Sequence, residues 1–175
     1  MPGAGAAWSF GIRPLAAADL DFPRTMLLEA AFWRPDRRRP PAAEGLADPR
    51  IIRYLPRCGR RGDRGVVATV DGQPVGAAWY RLFDRSEPGY GFVDEQTPEL
   101  TVAVDHGWRG RGVGRALLAA LLAQAGLEGV AAVSLSVEID NPAERLYQSL
   151  GFREVARAGG SKTMVAAVTG ADRPE

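Results

Sequence analysis

The chain has 175 residues, 46% hydrophobic and 25% charged, with a formal net charge of +1; this is the make-up of one soluble domain with its own core, and it leaves no electrostatic footprint for nucleic acid. One cysteine, Cys58, excludes an intrachain disulfide and a thiolate metal cluster, and one histidine, His106, leaves a His-based zinc site or a Ser-His-Asp triad almost nothing to draw on. No apolar run is long enough for a bilayer, and the opening Met-Pro-Gly-Ala-Gly-Ala-Ala is no signal peptide, so a cytoplasmic protein without membrane, nucleic-acid or metal partners is expected.

One domain is expected over residues 8–168, between a flexible N-terminus, 1–7, and a flexible tail, 169–175. A first strand is predicted at Trp8–Arg13, ended by Pro14. Asp19 is the predicted N-cap of a helix carrying Met26, Leu27, Ala30, Ala31 and Trp33, with Pro23 near its first turn. Residues 34–43 read as a proline-broken loop, with Arg37-Arg38-Arg39 solvated: a single lysine, Lys162, among 22 basic residues marks the arginine bias of a GC-rich bacterial genome. A short helix is predicted from Asp48 to Leu55. The runs 65–70 and 75–83 form a hairpin through Asp71-Gly72. The irregular segment 84–98 is long enough to suggest function.

The next stretch carries the strongest signal. Glu99–Val104 reads as a strand, His106–Arg115 as a glycine-arginine turn, and the Ala/Leu run beyond it as a helix stopping at Gly126. Glycines at 110, 112 and 114 let backbone N–H groups converge, and a helix starting there adds its unpaired donors and dipole. This is a phosphate cradle. Arg109, Arg111 and Arg115 are expected to place three guanidiniums around it. A dinucleotide fingerprint from Gly110 fails at Arg115, and a P-loop lacks its lysine.

A strand follows at Val130–Glu138, with Val133, Leu135 and Val137 on one face and Ala132, Ser134 and Ser136 on the other. Asn141-Pro142-Ala143-Glu144 starts a helix with Asn as N-cap, Pro at N1 and Glu at N3. Ala143, Leu146, Tyr147 and Leu150 form its inward stripe, and the helix ends at Leu150-Gly151. Runs 152–157 and 162–168 close the chain as an antiparallel pair through Gly159-Gly160. The order calls for an α/β chain with a mixed sheet covered by about four helices.

Arg109, Gly112 and Gly114 match R/Q-x-x-G-x-G/A, and Asn141 to Phe152 matches N-x-A-x-x-L-Y-x-x-x-G-F. In both motifs, and from Phe10 to about Val168, the chain resembles the GNAT superfamily of N-acetyltransferases, and within it bacterial members sharing the G-Y-G-F-V-D-E loop. The resemblance implies a mostly antiparallel sheet with one splayed parallel pair. It implies acetyl-CoA held by the backbone of Val102, Ala103 and Val104, by Arg109, Gly110, Arg111, Gly112, Val113, Gly114 and Arg115, and by Asn141 and Tyr147. By the same resemblance Tyr147 is the general acid for the CoA thiolate and Glu99 the general base. Glu99 lies one residue closer to Arg109 than in some relatives, an offset a β-bulge would absorb. Ser136 stands where certain protein-acetylating members carry glutamate, and His106, where many relatives have proline, reads as an exposed turn residue.

The function expected is direct acetyl transfer to a primary amine in a ternary complex. The acceptor is a small molecule or a peptide, met by Trp33, Tyr54, Tyr90, Phe92, Asp94 or Glu95, whose acidic and aromatic groups suit a cation. A homodimer stays open. The alternatives are a catalytically idle acyl-CoA-binding regulatory module and a nucleotide-binding regulatory domain.

Overall fold

The computed structural model describes residues 9–57 and 60–169; Trp8, Cys58 and the two terminal segments lie outside them. Seven strands form one sheet in the order β1-β2-β3-β4-β5-β7-β6, with β1 at Gly11–Pro14, β2 at Arg64–Val70, β3 at Gln73–Arg81, β4 at Glu99–Val104, β5 at Ala132–Glu138, β6 at Arg153–Ala158 and β7 at Ser161–Ala167. All neighbours are antiparallel except β4 and β5. Asp71 and Gly72 both take positive φ, 49° and 77°, as the tight turn joining β2 to β3 requires.

Among the described residues five α-helices accompany the sheet: α1 at Asp21–Ala31, α2 at Ala42–Ala47, α3 at Pro49–Ile52, α4 at Val113–Leu127 and α5 at Glu144–Ser149. Among the described residues no helix is long and apolar enough to cross a membrane. Strand alternation divides the interior in two. Val66, Ala68, Ala78, Leu100, Val133, Leu135 and Val137 pack against α4 and α5, where Leu117, Leu118 and Leu121 are fully buried. The opposite face carries Val67, Ala77 and Trp79, packed with Met26 and Leu27 of α1 and with Tyr54.

The local predictions need four corrections. Asp19 does not cap α1, whose N-cap is Leu20; its carboxylate instead accepts bonds from the Ala16 amide at 2.8 Å and from Arg13 at 2.6 and 2.7 Å, closing a separate turn. The helix predicted over 48–55 is only the short α3, which Asp48 caps through the Arg50 amide at 2.9 Å with Pro49 in its first turn, and α2 begins inside the predicted loop 34–43. α4 runs past Gly126, since the left-handed C′ residue is Gly129, with φ 75°. The β3–β4 ladder runs without a register shift from Arg81↔Glu99 to Gly76↔Val104, so no bulge adjusts the position of Glu99.

Candidate active site

β4 and β5 touch at one point. Glu99 pairs with Ser134, the Ser134 amide donates to Pro98 O at 2.9 Å, and no further pair joins the two strands. Beyond this apex the sheet is open between them. Asp105 N bonds Val75 O at 2.8 Å, and antiparallel alternation then directs the N–H and C=O of Val102 and Val104 away from β3, into the gap. Val104 O accepts Nε of Arg109 at 3.0 Å; Val102 keeps both groups open.

The gap leads to the start of α4. Gly110 and Gly112 have φ of 72° and 82°, and a Cβ added at either would meet nothing within 4 Å. The backbone there faces open space in a conformation side chains disfavour. The first bond closing α4 runs from Ala116 N to Gly112 O, so the amides of Val113, Gly114 and Arg115 have no backbone acceptor among the described residues. The three arginines do not converge on them. Arg109 reaches back to Glu29 of α1 at 2.8 Å, Arg111 lies over the Trp108 ring at 4.8 Å, and Arg115 donates to Ser149 Oγ at 2.9 Å.

Across the gap, Asn141 Oδ1 caps the following turn by accepting the Ala143 amide at 2.9 Å. α5 itself starts at Glu144 with Ala143 as its N-cap, so Asn141 caps the turn before it and not, as predicted, the helix, and the amide NH2 of its side chain is left for another acceptor. Tyr147 is buried in the α4/α5 core, edge-on to Phe152 at 6.0 Å. Burial pushes its phenol up to about 12, so the hydroxyl holds its proton at neutral pH.

Glu99 lies at the apex on the opposite face and is only 3% exposed. Its Oε1 accepts the Tyr54 hydroxyl at 2.8 Å and the Gly91 amide at 2.9 Å. Burial raises its carboxyl to about 7, against the lowering effect of these two donors and of Arg53. Tyr54 is fixed in turn: Trp79 Nε1 donates to its carbonyl at 2.6 Å, and the buried Arg81 pairs with Asp63 at 3.0 Å while donating to Arg53 O. The segment 84–98 folds over this site. Tyr90 stacks on Tyr54 at 6.1 Å, with Arg53 against both rings, and Phe92 packs on the core of that face. Asp94 instead serves the loop, accepting the amides of Gln96 and Thr97 at 2.8 Å, and Glu95 accepts that of Arg85 at 3.3 Å. Trp33 lies apart, its Nε1 on Glu138 at 3.1 Å beside Arg34. His106 is exposed.

The model of the acetyltransferase (GNAT) family matches residues 25–152, well over half of the chain and both motifs. This chain belongs to the GNAT acetyltransferase family. Solved structures agree on the fold. PaiA N-acetyltransferase from Thermoplasma acidophilum, in complex with coenzyme A, superposes with a TM-score of 0.69 at 16% identity, over 91% of this chain and 99% of that one. YncA from Salmonella typhimurium with its cofactor acetyl-CoA gives 0.65 at 23% identity, over 95% and 98%. The ribosomal-protein-alanine N-acetyltransferase from Brucella melitensis gives 0.61 at 25% identity, over 90% and 99%. No curated protein matches.

Within this GNAT domain, motif reading located the open strand, the glycine turn and the inward position of Tyr147 on α5. It listed Tyr54 among acceptor contacts but missed its bond to Glu99, and it read Ser134 only as one of a row of small side chains. The signal that could have found them is polarity at inward strand positions: Glu99 and Ser134 both occupy sheet interior where apolar residues are the rule.

Proposed function

We propose that the chain is an acetyl-CoA-dependent N-acetyltransferase that passes the acetyl group directly to a primary amine of a small molecule or peptide. The observation that carries this reading is the gap between β4 and β5, lined by free strand amides and ending at the unpaired N–H groups of α4. An extended pantetheine arm would add to Val102–Val104 much as a strand does. The pyrophosphate would sit on the amides of residues 110–115, where Gly110 and Gly112 leave room. Arg109, held by Val104 O and Glu29, shapes the turn in this reading, and Asn141 offers its free NH2 to the arm. That PaiA and YncA are described with coenzyme A and acetyl-CoA supports the donor.

Acetyl-CoA supplies the thioester. Glu99 removes a proton from the acceptor ammonium, and its elevated carboxyl suits that task near neutral pH. Tyr147 gives its proton to the departing sulfur and regains one from the acylated nitrogen. A buried phenol is a reluctant acid, but a thiolate in the same dry setting is correspondingly basic. The test is thermal shift with acetyl-CoA, CoA, ATP and NAD, followed by a thiol-release screen over amines. Stabilisation by the two CoA species and release with an amine are expected. Binding without turnover would mean an idle acyl-CoA module, and preference for ATP or NAD a nucleotide-binding domain.

A further inference from the structure

The gap between β4 and β5 has two faces of different chemistry. Strand alternation sends Leu100 and Val102 of β4, with Leu135 and Val137 of β5, into the apolar core under α4 and α5. On the opposite face the first residues past the apex are Thr101, two positions after Glu99, and Ser136, two after Ser134. Thr101 pairs with Trp79, which packs on the α1 side, and Ser136 pairs with Thr163. Both are half-buried, and neither hydroxyl has a partner among the described residues. The apolar core of this face takes no side chain from β5, β6 or β7, so it ends at β4 and leaves Ser136 uncovered by it. Two free hydroxyls therefore border the gap, one from each strand. Between them lies the edge of Val102, whose N–H and C=O are both open.

An attacking nitrogen has needs that such a pair meets. A primary amine that has lost its ammonium proton keeps one lone pair and two N–H bonds. The lone pair must aim at the thioester carbon, so both N–H groups turn away from it and require acceptors. As the C–N bond forms the nitrogen becomes positive, and hydrogen bonds from it strengthen. Acceptors placed for those two bonds thus favour the transition state over the ground state.

We propose that Thr101 and Ser136 hold the acceptor nitrogen, each hydroxyl oxygen accepting one of its N–H bonds, and that this pair restricts the enzyme to primary amines. The inference rests on the acetyltransferase reading and is independent of which group takes the ammonium proton. In the step, the nitrogen lone pair forms the C–N bond and the C–S pair leaves with sulfur, which takes the Tyr147 proton. The acylated nitrogen then returns one proton to Tyr147. The two hydroxyls neither gain nor lose a proton. A secondary amine keeps a single N–H once deprotonated, so one hydroxyl is left facing an alkyl group.

The test compares amines that differ by one N–H. Methylamine and dimethylamine, of nearly equal basicity, form the minimal pair; the best primary amine of the thiol-release screen and its N-methyl derivative form the second. Wild type should turn over the primary member about tenfold faster or more. Ser136→Ala and Thr101→Val each remove one hydroxyl. Each should lower kcat for the primary amine about tenfold and leave the secondary amine within about twofold, so that the preference narrows about tenfold. Ser136→Thr and Thr101→Ser should restore it. Coenzyme A affinity by calorimetry and Tm should stay at wild-type values, which separates lost positioning from lost fold. An equal fall for both amines, or no fall, overturns the inference and leaves acetyl transfer standing. Thiol release with no amine overturns the acetyltransferase reading, and this inference with it.

Discussion

Removing the charge of Glu99 should make the protein more stable at alkaline pH relative to wild type, by an amount the structure sets. The folded protein holds this carboxyl at about 7, against an ordinary 4.5, because burial disfavours the charged form. Between those values the folded state keeps a proton that the unfolded chain has released. Stability from this group is therefore fully present below pH 4.5 and is lost as pH rises through 7. At about 1.4 kcal/mol per tenfold change the loss is about 3 kcal/mol, and with the side chain only 3% exposed solvent screening takes little from it. Glu99→Gln keeps the acceptor oxygen for Tyr54 and Gly91 but cannot titrate. Its own packing cost is independent of pH and cancels when only the pH dependence is compared. Urea denaturation of both proteins at pH 5, 6, 7 and 8 should give a difference that moves by about 3 kcal/mol in favour of the variant. For a chain of this size that equals about 6–12 °C in Tm. Parallel stability curves would refute the claim that Glu99 is buried and hard to ionise, and with it the basis for a base active near neutral pH.

Tyr147→Phe keeps the ring against Phe152 but removes the proton, so kcat should fall about 10²–10⁴-fold with coenzyme A affinity unchanged by calorimetry. Gly114 has only ordinary contacts for an added Cβ, Leu146 at 3.5 Å and Val104 at 3.7 Å; Gly114→Asp should therefore fold, by circular dichroism, and lose coenzyme A binding through the negative charge at the start of α4. Gly91→Ala would press a methyl against the backbone of Leu135 and Ser136, at 2.5 and 2.7 Å, which cannot yield as a side chain does. The loop should lift, at a cost of about 1–3 kcal/mol in denaturant unfolding, and residues 84–98 should be cut faster in limited proteolysis.

Much of this protein follows from local pattern. The β2–β3 turn needed Asp71-Gly72, the bounds of β4 and the end of α5 at Gly151 follow from short-range signals, and the spacing of Arg109, Gly112 and Gly114 announced the glycine turn that opens α4, because backbone conformation and periodicity are encoded within a few residues. Boundaries governed by alternatives of nearly equal local energy were misjudged: Gly126 and Gly129 both suit a helix end, and only packing of Leu117, Leu118, Leu121 and Ala125 against the sheet carries α4 to the later one. Side-chain destinations were beyond local reach. Arg109 to Glu29 spans 80 positions, Tyr54 to Glu99 spans 45, and Ser134 meets Glu99 only because two strands separated by a whole helix lie parallel and touch once. A charge or hydroxyl in a sequence carries no record of its partner. Tertiary structure alone decided that the arginines of the turn would be shared out among separate partners, that the carboxylate at the head of β4 would be buried, and that a serine would lie beside it on the same face of the sheet.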